Sequence, residues 1–154
     1  MTPMTDLTKI ERSILIRASR ARVWRAITNV EEFSKWFGVT IEGEFMPGAQ
    51  VRMTSLEPCG PDPVVRVTIV NVAPEQLFSW RWYPGADRPP EGGEAPTTLV
   101  EFRLTEEDGG TRVTVTETGF EFMALERRAK AFGENSEGWK EQMRNLEHHL
   151  QHGA

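Results

Sequence analysis

The sequence predicts an α+β domain in two layers, an antiparallel sheet with helices packed on one of its faces. Three observations lead to this prediction. A strand-like segment and two short helical segments open the chain, six strand-like segments follow up to Gly119, and an amphipathic helix closes it. The 154 residues are enough for one hydrophobic core. We therefore expect one domain over 9–150, an N-terminal tail at 1–8 and a C-terminal tail at 151–154.

The first strand-like segment is "KIERSILIRA", from Lys9 to Ala18. Its isoleucines alternate with mostly polar residues, which is typical of a strand with one apolar face. Ser19 is a favourable N-cap for the short helix "RARVWRAIT", whose apolar residues recur at helical spacing. A second short helical segment, "VEEFSKWF", ends at Gly38.

Six further strand-like segments are rich in β-branched or aromatic residues and are separated by Pro, Gly, Asn or Asp. They are "VTIEGEF", "AQVRMTS", "VVRVTIVNV", "QLFSWRW", "TTLVEFRL" and "TRVTVTETG". Turn-like connections between successive strands favour an antiparallel meander.

The last third of the chain is predicted to be helical. "FMALERRAKAF" indicates a short helix, and "NSEGWKEQMRNLEHHL" indicates a separate, longer amphipathic one. In the longer helix, Trp139, Met143, Leu146 and Leu150 recur at intervals of four, three and four residues, so they form one apolar stripe.

Three large aromatic side chains occupy alternate positions in "FSWRW". Because side chains of a strand alternate between the faces of a sheet, Phe78, Trp80 and Trp82 are expected to point to one side. The same alternation places Val100 and Phe102 of the next strand on that side. We expect this aromatic row to face the C-terminal helix.

One carboxylate falls on the same inward face. Val113 and Val115 set the inward register of the last strand, so Glu117 also points inward near the end of that strand. A carboxylate there is costly unless it is paired or near water. Three interpretations stay open: Glu117 orients a ligand, acts as a general acid or base, or lies at a solvated rim beside Arg81 or Arg103.

Charge and composition exclude several classes of partner. The net charge of -5 and the pI near 5.3 argue against nucleic acid and against an anionic membrane, since both demand clustered Lys and Arg. No segment approaches the ~20 apolar residues of a membrane span, and the N-terminus does not resemble a signal peptide. The single cysteine, Cys59, fits a reducing compartment. We therefore expect a cytoplasmic protein.

Residues suited to metal or nucleophilic chemistry are few. All three histidines, His148, His149 and His152, lie in the last seven residues. His148 and His152 are spaced to share a metal, but a solvated tail is the better interpretation. Cys59 lies in a turn-rich stretch with no local base. The sequence therefore predicts no cofactor and no metal, and it favours binding over catalysis.

Four ordered motifs cover most of the chain, from Lys9 to Leu150. After the opening strand, the first motif comprises Ala18, Val23, Trp24, Ala26, Ile27, Thr28, Trp36 and Phe37, with Ser19-Arg20 where a Pro is usual. The others are "VAPEQLFSWRW", "VTVTETGF" and "GWKEQMRNL". Together they resemble the START-like or SRPBCC helix-grip superfamily, in particular the branch similar to the C-terminal domain of the activator of the heat-shock protein 90 ATPase.

The resemblance implies a curved antiparallel sheet of about six or seven strands around a long C-terminal helix. In many relatives a cavity between sheet and helix holds an apolar small molecule. The loop "PGADRPPEGGEAP" is then expected to cap the cavity mouth. The residues expected to contact such a molecule are Trp36, Phe37, Met53, Phe78, Trp80, Trp82, Phe102, Glu117, Phe120, Trp139 and Met143.

Three functions from different classes stay open. The first is binding of a small apolar or aromatic molecule. The second is a cavity enzyme of the cyclase or hydrolase type, with Glu117 as its candidate catalytic residue. The third is a protein-interaction or co-chaperone-like module. A homodimer and a chaperone partner also stay open.

Overall fold

The computed structural model describes residues 8–56, 64–83 and 97–152. Cys59, the predicted N-terminal tail up to residue 7, and the whole of the predicted capping loop, residues 84–96, lie outside these ranges. The strands are β1 (Lys9–Ile16), β2 (Val39–Glu42), β3 (Gln50–Ser55), β4 (Val64–Ala73), β5 (Leu77–Trp82), β6 (Thr98–Glu107) and β7 (Gly110–Thr118). The helices are α1 (Arg20–Thr28), α2 (Val30–Phe37), a 3-10 turn (Phe120–Phe122) and α3 (Leu125–His152).

The seven strands form one curved antiparallel sheet in the order β1-β7-β6-β5-β4-β3-β2. Strands β2 to β7 follow one another as the predicted meander, and the first strand pairs with the last. In that pair Lys9 lies opposite Thr118, and Ile16 lies opposite Thr111. The predicted α+β fold, with two short helices after the first strand and a long C-terminal helix, is confirmed.

Local sequence explains where the two short helices begin and end. Ser19 Oγ accepts a hydrogen bond from the Arg22 backbone N–H at 3.1 Å, and Asn29 Oδ1 accepts one from the Glu32 backbone N–H at 3.0 Å. Gly38 ends α2 with a φ of 77°, a left-handed conformation that glycine adopts without strain. These caps confirm the predicted start of α1 and end of α2.

The prediction of two separate C-terminal helices is wrong, because α3 runs without a break for 28 residues. A glycine in a helix interior costs about 1 kcal/mol relative to alanine, and both Gly133 and Gly138 lie inside α3. The helix continues because its buried face does: Ala131, Trp139 and Leu146 are all buried on it. Packing of this face outweighs the two local penalties.

The core lies between the sheet and the helices. The predicted inward faces of β5, β6 and β7 are confirmed, since Phe78, Trp80, Val100, Phe102 and Val115 are fully buried. Among the described residues, no helix is both long enough and apolar enough to cross a membrane.

Candidate functional site

The interior contains a continuous cluster of nine aromatic rings, which we call the aromatic cluster. Helix α2, strands β5 and β6, helix α3 and the segment between β2 and β3 all contribute to it. Its members are Phe33, Trp36, Phe37, Phe45, Phe78, Trp80, Trp82, Phe102 and Trp139. Such contacts add stabilisation beyond the burial of apolar area.

Trp80 lies at the centre of the aromatic cluster. Its ring is fully buried and contacts six others, with centroid distances from 5.4 to 6.3 Å. Two of these rings, Phe33 and Phe37, belong to α2, and Trp139 belongs to α3. The predicted aromatic row of β5 therefore faces both α2 and the terminal helix.

Glu117 lies near the end of β7 and is fully buried. The strand register places it opposite Ile10 of β1 and Val100 of β6. Its predicted inward orientation is confirmed, and the alternative of a solvated rim beside Arg81 or Arg103 is wrong.

Four neutral donors surround the Glu117 carboxylate. Trp82 Nε1 donates to Oε2 at 2.8 Å, and Trp139 Nε1 donates to Oε1 at 2.8 Å. Asn135 Nδ2 lies 2.9 Å from Oε1 and 3.0 Å from Oε2, and the Thr98 hydroxyl donates to Oε2. We call these five residues the carboxylate cage.

The carboxylate cage joins β5, β6 and β7 to the middle of α3. The two carboxylate oxygens of Glu117 accept five hydrogen bonds. A carboxylate offers about four lone-pair positions. No acceptor position is left for a substrate proton. This geometry suits a group that holds the sheet and the helix together better than it suits a general base.

The indole N–H groups of the aromatic cluster differ in their partners. Trp36 Nε1 donates to the Ala26 carbonyl at 2.8 Å, and those of Trp82 and Trp139 donate to Glu117. Trp80 Nε1 is buried and has no hydrogen-bond partner within the described ranges. An unpaired buried donor of this kind is uncommon and calls for an explanation.

Phe45 differs from the rest of the aromatic cluster in its backbone. The other eight rings lie on helices or strands, whereas Phe45 lies in the irregular segment between β2 and β3 and is partly exposed. Its ring contacts Phe33 at 5.3 Å and Phe78 at 5.1 Å, and both of those rings contact Trp80. Phe45 can therefore be displaced at a lower cost than its neighbours.

The structure brings most of the predicted ligand-contacting residues together, with three exceptions. Met53 and Met143 are buried in the same core, but neither contributes a ring to the cluster. Phe120 contacts the ring of Phe132 at 5.4 Å, away from Trp80. A role in ligand contact stays a prediction for every member of the set.

Sequence reasoning missed Thr98, Asn135 and Phe45. Thr98 shares the parity of Val100 on β6, so the alternation pattern contained its signal. Asn135 precedes Trp139 by four residues and so lies on the same helix face. Phe45 shares the parity of Val39 and Ile41 in the predicted strand "VTIEGEF", but β2 ends at Glu42, so the predicted extent of that strand is wrong and alternation does not give the position of Phe45.

A second carboxylate, Glu32 on α2, contacts two arginines and a histidine. Its oxygens lie 2.8 Å from Arg22 Nη1, 2.9 Å from Arg25 Nε and 2.9 Å from His149 Nε2. Burial acts to raise the pKa of Glu32, but the hydrogen bonds from His149, Arg22 and Arg25 together hold it below the ordinary value. This cluster joins the end of α3 to both short helices.

In the part of the chain that the structure describes, no group of three or more His, Cys, Asp or Glu side chains is placed to hold a metal ion. His149, which lies inside the expected domain, contacts Glu32 of α2, with His149 Nε2 2.9 Å from Glu32 Oε1.

Comparison with known proteins places the chain among relatives of the same architecture. The family model described as "Activator of Hsp90 ATPase homolog 1-like protein" matches residues 17–151. No curated protein matches the chain.

Three solved structures show the likeness in fold. Protein MLL2253 from Mesorhizobium loti is 20% identical, with 95% of this chain and 98% of that chain covered and a TM-score of 0.75. The Aha1 dimer from Colwellia psychrerythraea is 19% identical, with 94% and 97% covered and a TM-score of 0.71. Protein Ms6760 from Mycobacterium smegmatis is 20% identical, with 97% and 98% covered and a TM-score of 0.71.

Proposed function

Because the chain belongs to the Activator of Hsp90 ATPase homolog 1-like family, we propose that it is a ligand-binding member, which takes up a small apolar or aromatic molecule between its sheet and α3. The observation that carries this proposal is the aromatic cluster around Trp80. Apolar walls with a few placed polar groups are the usual composition of a small-molecule site. Here the walls are aromatic, and the polar group left without a partner among the described residues is the Trp80 N–H.

Access to this interior is proposed to run past Phe45. Its ring lies over Phe33 and Phe78 and is held by an irregular segment. A ligand that displaces this ring reaches the two aromatic residues that contact Trp80. The partly exposed Phe45 side chain therefore serves as the gate of the site.

The carboxylate cage supports binding over catalysis. A general base must accept a proton from substrate, but the oxygens of Glu117 already accept from Trp82, Thr98, Asn135 and Trp139. We assign Glu117 the task of fixing α3 against the sheet, so that the aromatic walls keep their spacing. The cyclase or hydrolase alternative has no comparable support.

The neutral fluorophore N-phenyl-1-naphthylamine tests the proposal. At about 100 times its dissociation constant, binding should stabilise the fold by about 2.7 kcal/mol, which corresponds to a melting shift of about 5–10 °C. Emission from the buried tryptophans should be quenched at the same time. A panel of neutral aromatic probes that gives neither effect would contradict the proposal.

Two Phe→Ala variants distinguish the interior from the surface. Phe45→Ala should raise the association rate constant of the fluorophore several-fold, because the gate ring no longer has to move. Phe122→Ala is the control, since Phe122 is 73% exposed and lies outside the aromatic cluster. Loss of binding in Phe122→Ala would show that the fluorophore occupies a surface patch.

A co-chaperone-like module is the second candidate function. Two large apolar side chains, Phe122 and Leu125, are 73% and 74% exposed where the 3-10 turn meets α3, and they suit a protein partner. The test is the ATPase rate of a bacterial heat-shock protein 90 with the chain added. A rate increase that Leu125→Ser abolishes would favour this function, and an unchanged rate would remove it. A homodimer stays a prediction that sedimentation velocity can check.

A further inference from the structure

We infer that the molecule bound in this interior carries a neutral hydrogen-bond acceptor, a ketone-type carbonyl oxygen on a flat ring system, and that this oxygen accepts from Trp80 Nε1. The inference rests on the proposed function and adds the chemical class of the ligand.

The need for an acceptor follows from Trp80. Its side chain is fully buried, and its N–H has no partner in residues 8–56, 64–83 and 97–152. The Trp36, Trp82 and Trp139 N–H groups each reach an oxygen at 2.8 Å. A buried donor without a partner is unfavourable, so an acceptor brought by a ligand gains a bond for which no protein bond has to break.

The neutrality of the acceptor follows from the carboxylate cage. Trp82 and Trp139, which hold Glu117, contact the Trp80 ring at 5.4 and 6.2 Å. An anionic ligand at Trp80 would bury a full charge in an interior where the N–H groups of Trp82 and Trp139 are already used by Glu117. Burying an anion without such partners is costly. A neutral carbonyl oxygen avoids this penalty.

The flat shape follows from the contacts that the gate ring itself makes. The ring of Phe45 meets that of Phe33 at an interplanar angle of 87° and that of Phe78 at 45°. Aromatic rings meet one another favourably in edge and offset arrangements. A planar aromatic ketone that displaces the gate ring can reproduce these contacts, and a branched aliphatic molecule cannot.

Two probes of nearly equal shape test the inference, 9-fluorenone with a carbonyl and fluorene without one. The wild-type chain should bind 9-fluorenone about tenfold more tightly, the order expected for one hydrogen bond to a buried donor. Trp80→Phe should abolish this preference. Trp24→Phe is the matched control and should keep it, because Trp24 lies on α1 outside the aromatic cluster.

The outcomes separate the two proposals. Equal affinity for both probes in the wild-type chain overturns the inference and leaves the proposed function standing. Binding of neither probe overturns the inference, and it overturns the proposed function as well if N-phenyl-1-naphthylamine and the rest of the neutral aromatic panel also fail to bind. A preference that persists in Trp80→Phe also overturns the inference, because another donor must then hold the carbonyl.

A second measurement does not depend on the Trp80→Phe variant folding. The infrared carbonyl stretch of 9-fluorenone bound to the wild-type chain should lie at a lower frequency than in an alkane solvent, as it does for a hydrogen-bonded ketone. An unshifted frequency would show that Trp80 Nε1 makes no bond to the ligand, and would overturn the inference. Fluorene-9-carboxylate should bind more weakly than 9-fluorenone, and tighter binding of this anion would contradict the neutral acceptor.

Discussion

Glu117 and Trp80 lie in the same aromatic interior, yet their hydrogen bonding is opposite. Glu117 accepts five hydrogen bonds from four side chains, whereas the Trp80 N–H has no partner in the described ranges. Trp82 links the two regions, because it donates to Glu117 and its ring contacts Trp80 at 5.4 Å. A saturated group favours a structural role, and an unsatisfied one favours a place where a ligand completes the site.

The difference also separates stability from binding. Each bond in the carboxylate cage exists in the folded chain without a ligand, so breaking one should lower the free energy of unfolding. Trp80 has no such bond to lose, so its N–H should affect affinity and leave stability nearly unchanged.

The largest effect is expected for Glu117→Gln. The amide presents a donor where the carboxylate oxygen accepted, so the donors on that side lose their partner. At about 1–3 kcal/mol for each stranded donor, the free energy of unfolding should fall by about 3 kcal/mol, or about 6–12 °C in melting temperature. Thermal unfolding followed by circular dichroism measures this change.

Glu101→Gln is the control for Glu117→Gln. Glu101 lies on the adjacent strand β6 and pairs with Arg103 near the surface at 3.1 Å. The Glu101→Gln substitution should therefore lower the free energy of unfolding by less than about 1 kcal/mol. A Glu117→Gln variant as stable as this control would show that the carboxylate cage contributes nothing to the fold.

A matched pair of Trp→Phe variants gives the next largest effect. Trp139→Phe and Trp80→Phe remove the same ring volume from buried positions, but only the first removes a hydrogen bond. Trp139→Phe should therefore destabilise the chain by about 1–2 kcal/mol more than Trp80→Phe in urea unfolding without ligand. Equal losses would contradict the contrast between the two regions.

Much of this contrast depends on patterns that the sequence contains. Alternation from Val113 and Val115 predicts that Glu117 points to the inward face of the sheet. Alternation in β5 predicts that Trp80 and Trp82 point to the same face. The four-residue spacing of Asn135 and Trp139 predicts one helix face for both, but a helix break was expected just before Asn135, so its side chain was expected at a helix end and not in the interior. The break is absent since long-range packing of one helix face outweighs the local glycine preference.

The unpaired state of Trp80 could not be predicted either. Alternation fixes the face toward which a side chain points, but whether its N–H finds an acceptor depends on distances between elements remote in sequence. The role of Phe45 could not be predicted for the same reason, because its contacts with Phe33 and Phe78 join an irregular segment to the distant elements α2 and β5.

The smallest effect is expected for Glu32, which sharpens the comparison because two of its partners, Arg22 and Arg25, are cations. Its pKa is lower in the folded chain than in the unfolded one, so the unfolded state binds more protons between those two values. The stability from Glu32 is therefore fully present above the ordinary carboxyl pKa of 4.5 and is lost as the pH falls through the folded value.

Comparing wild-type chain with Glu32→Gln checks this dependence. The variant should be less stable by under about 1 kcal/mol at pH 7, and the difference should shrink as the pH is lowered below 4.5. A difference that stays constant down to pH values below the folded pKa would show that the charge of Glu32 contributes nothing through Arg22, Arg25 and His149.

The most direct test of the contrast is a titration of the ¹⁵N-labelled chain with 9-fluorenone, with the tryptophan indole N–H resonances followed by NMR. The account predicts that the Trp80 resonance moves downfield as it gains an acceptor, while Trp82 and Trp139 shift little because their bonds to Glu117 persist. A stationary Trp80 resonance, or a larger displacement at Trp82 or Trp139, would contradict it.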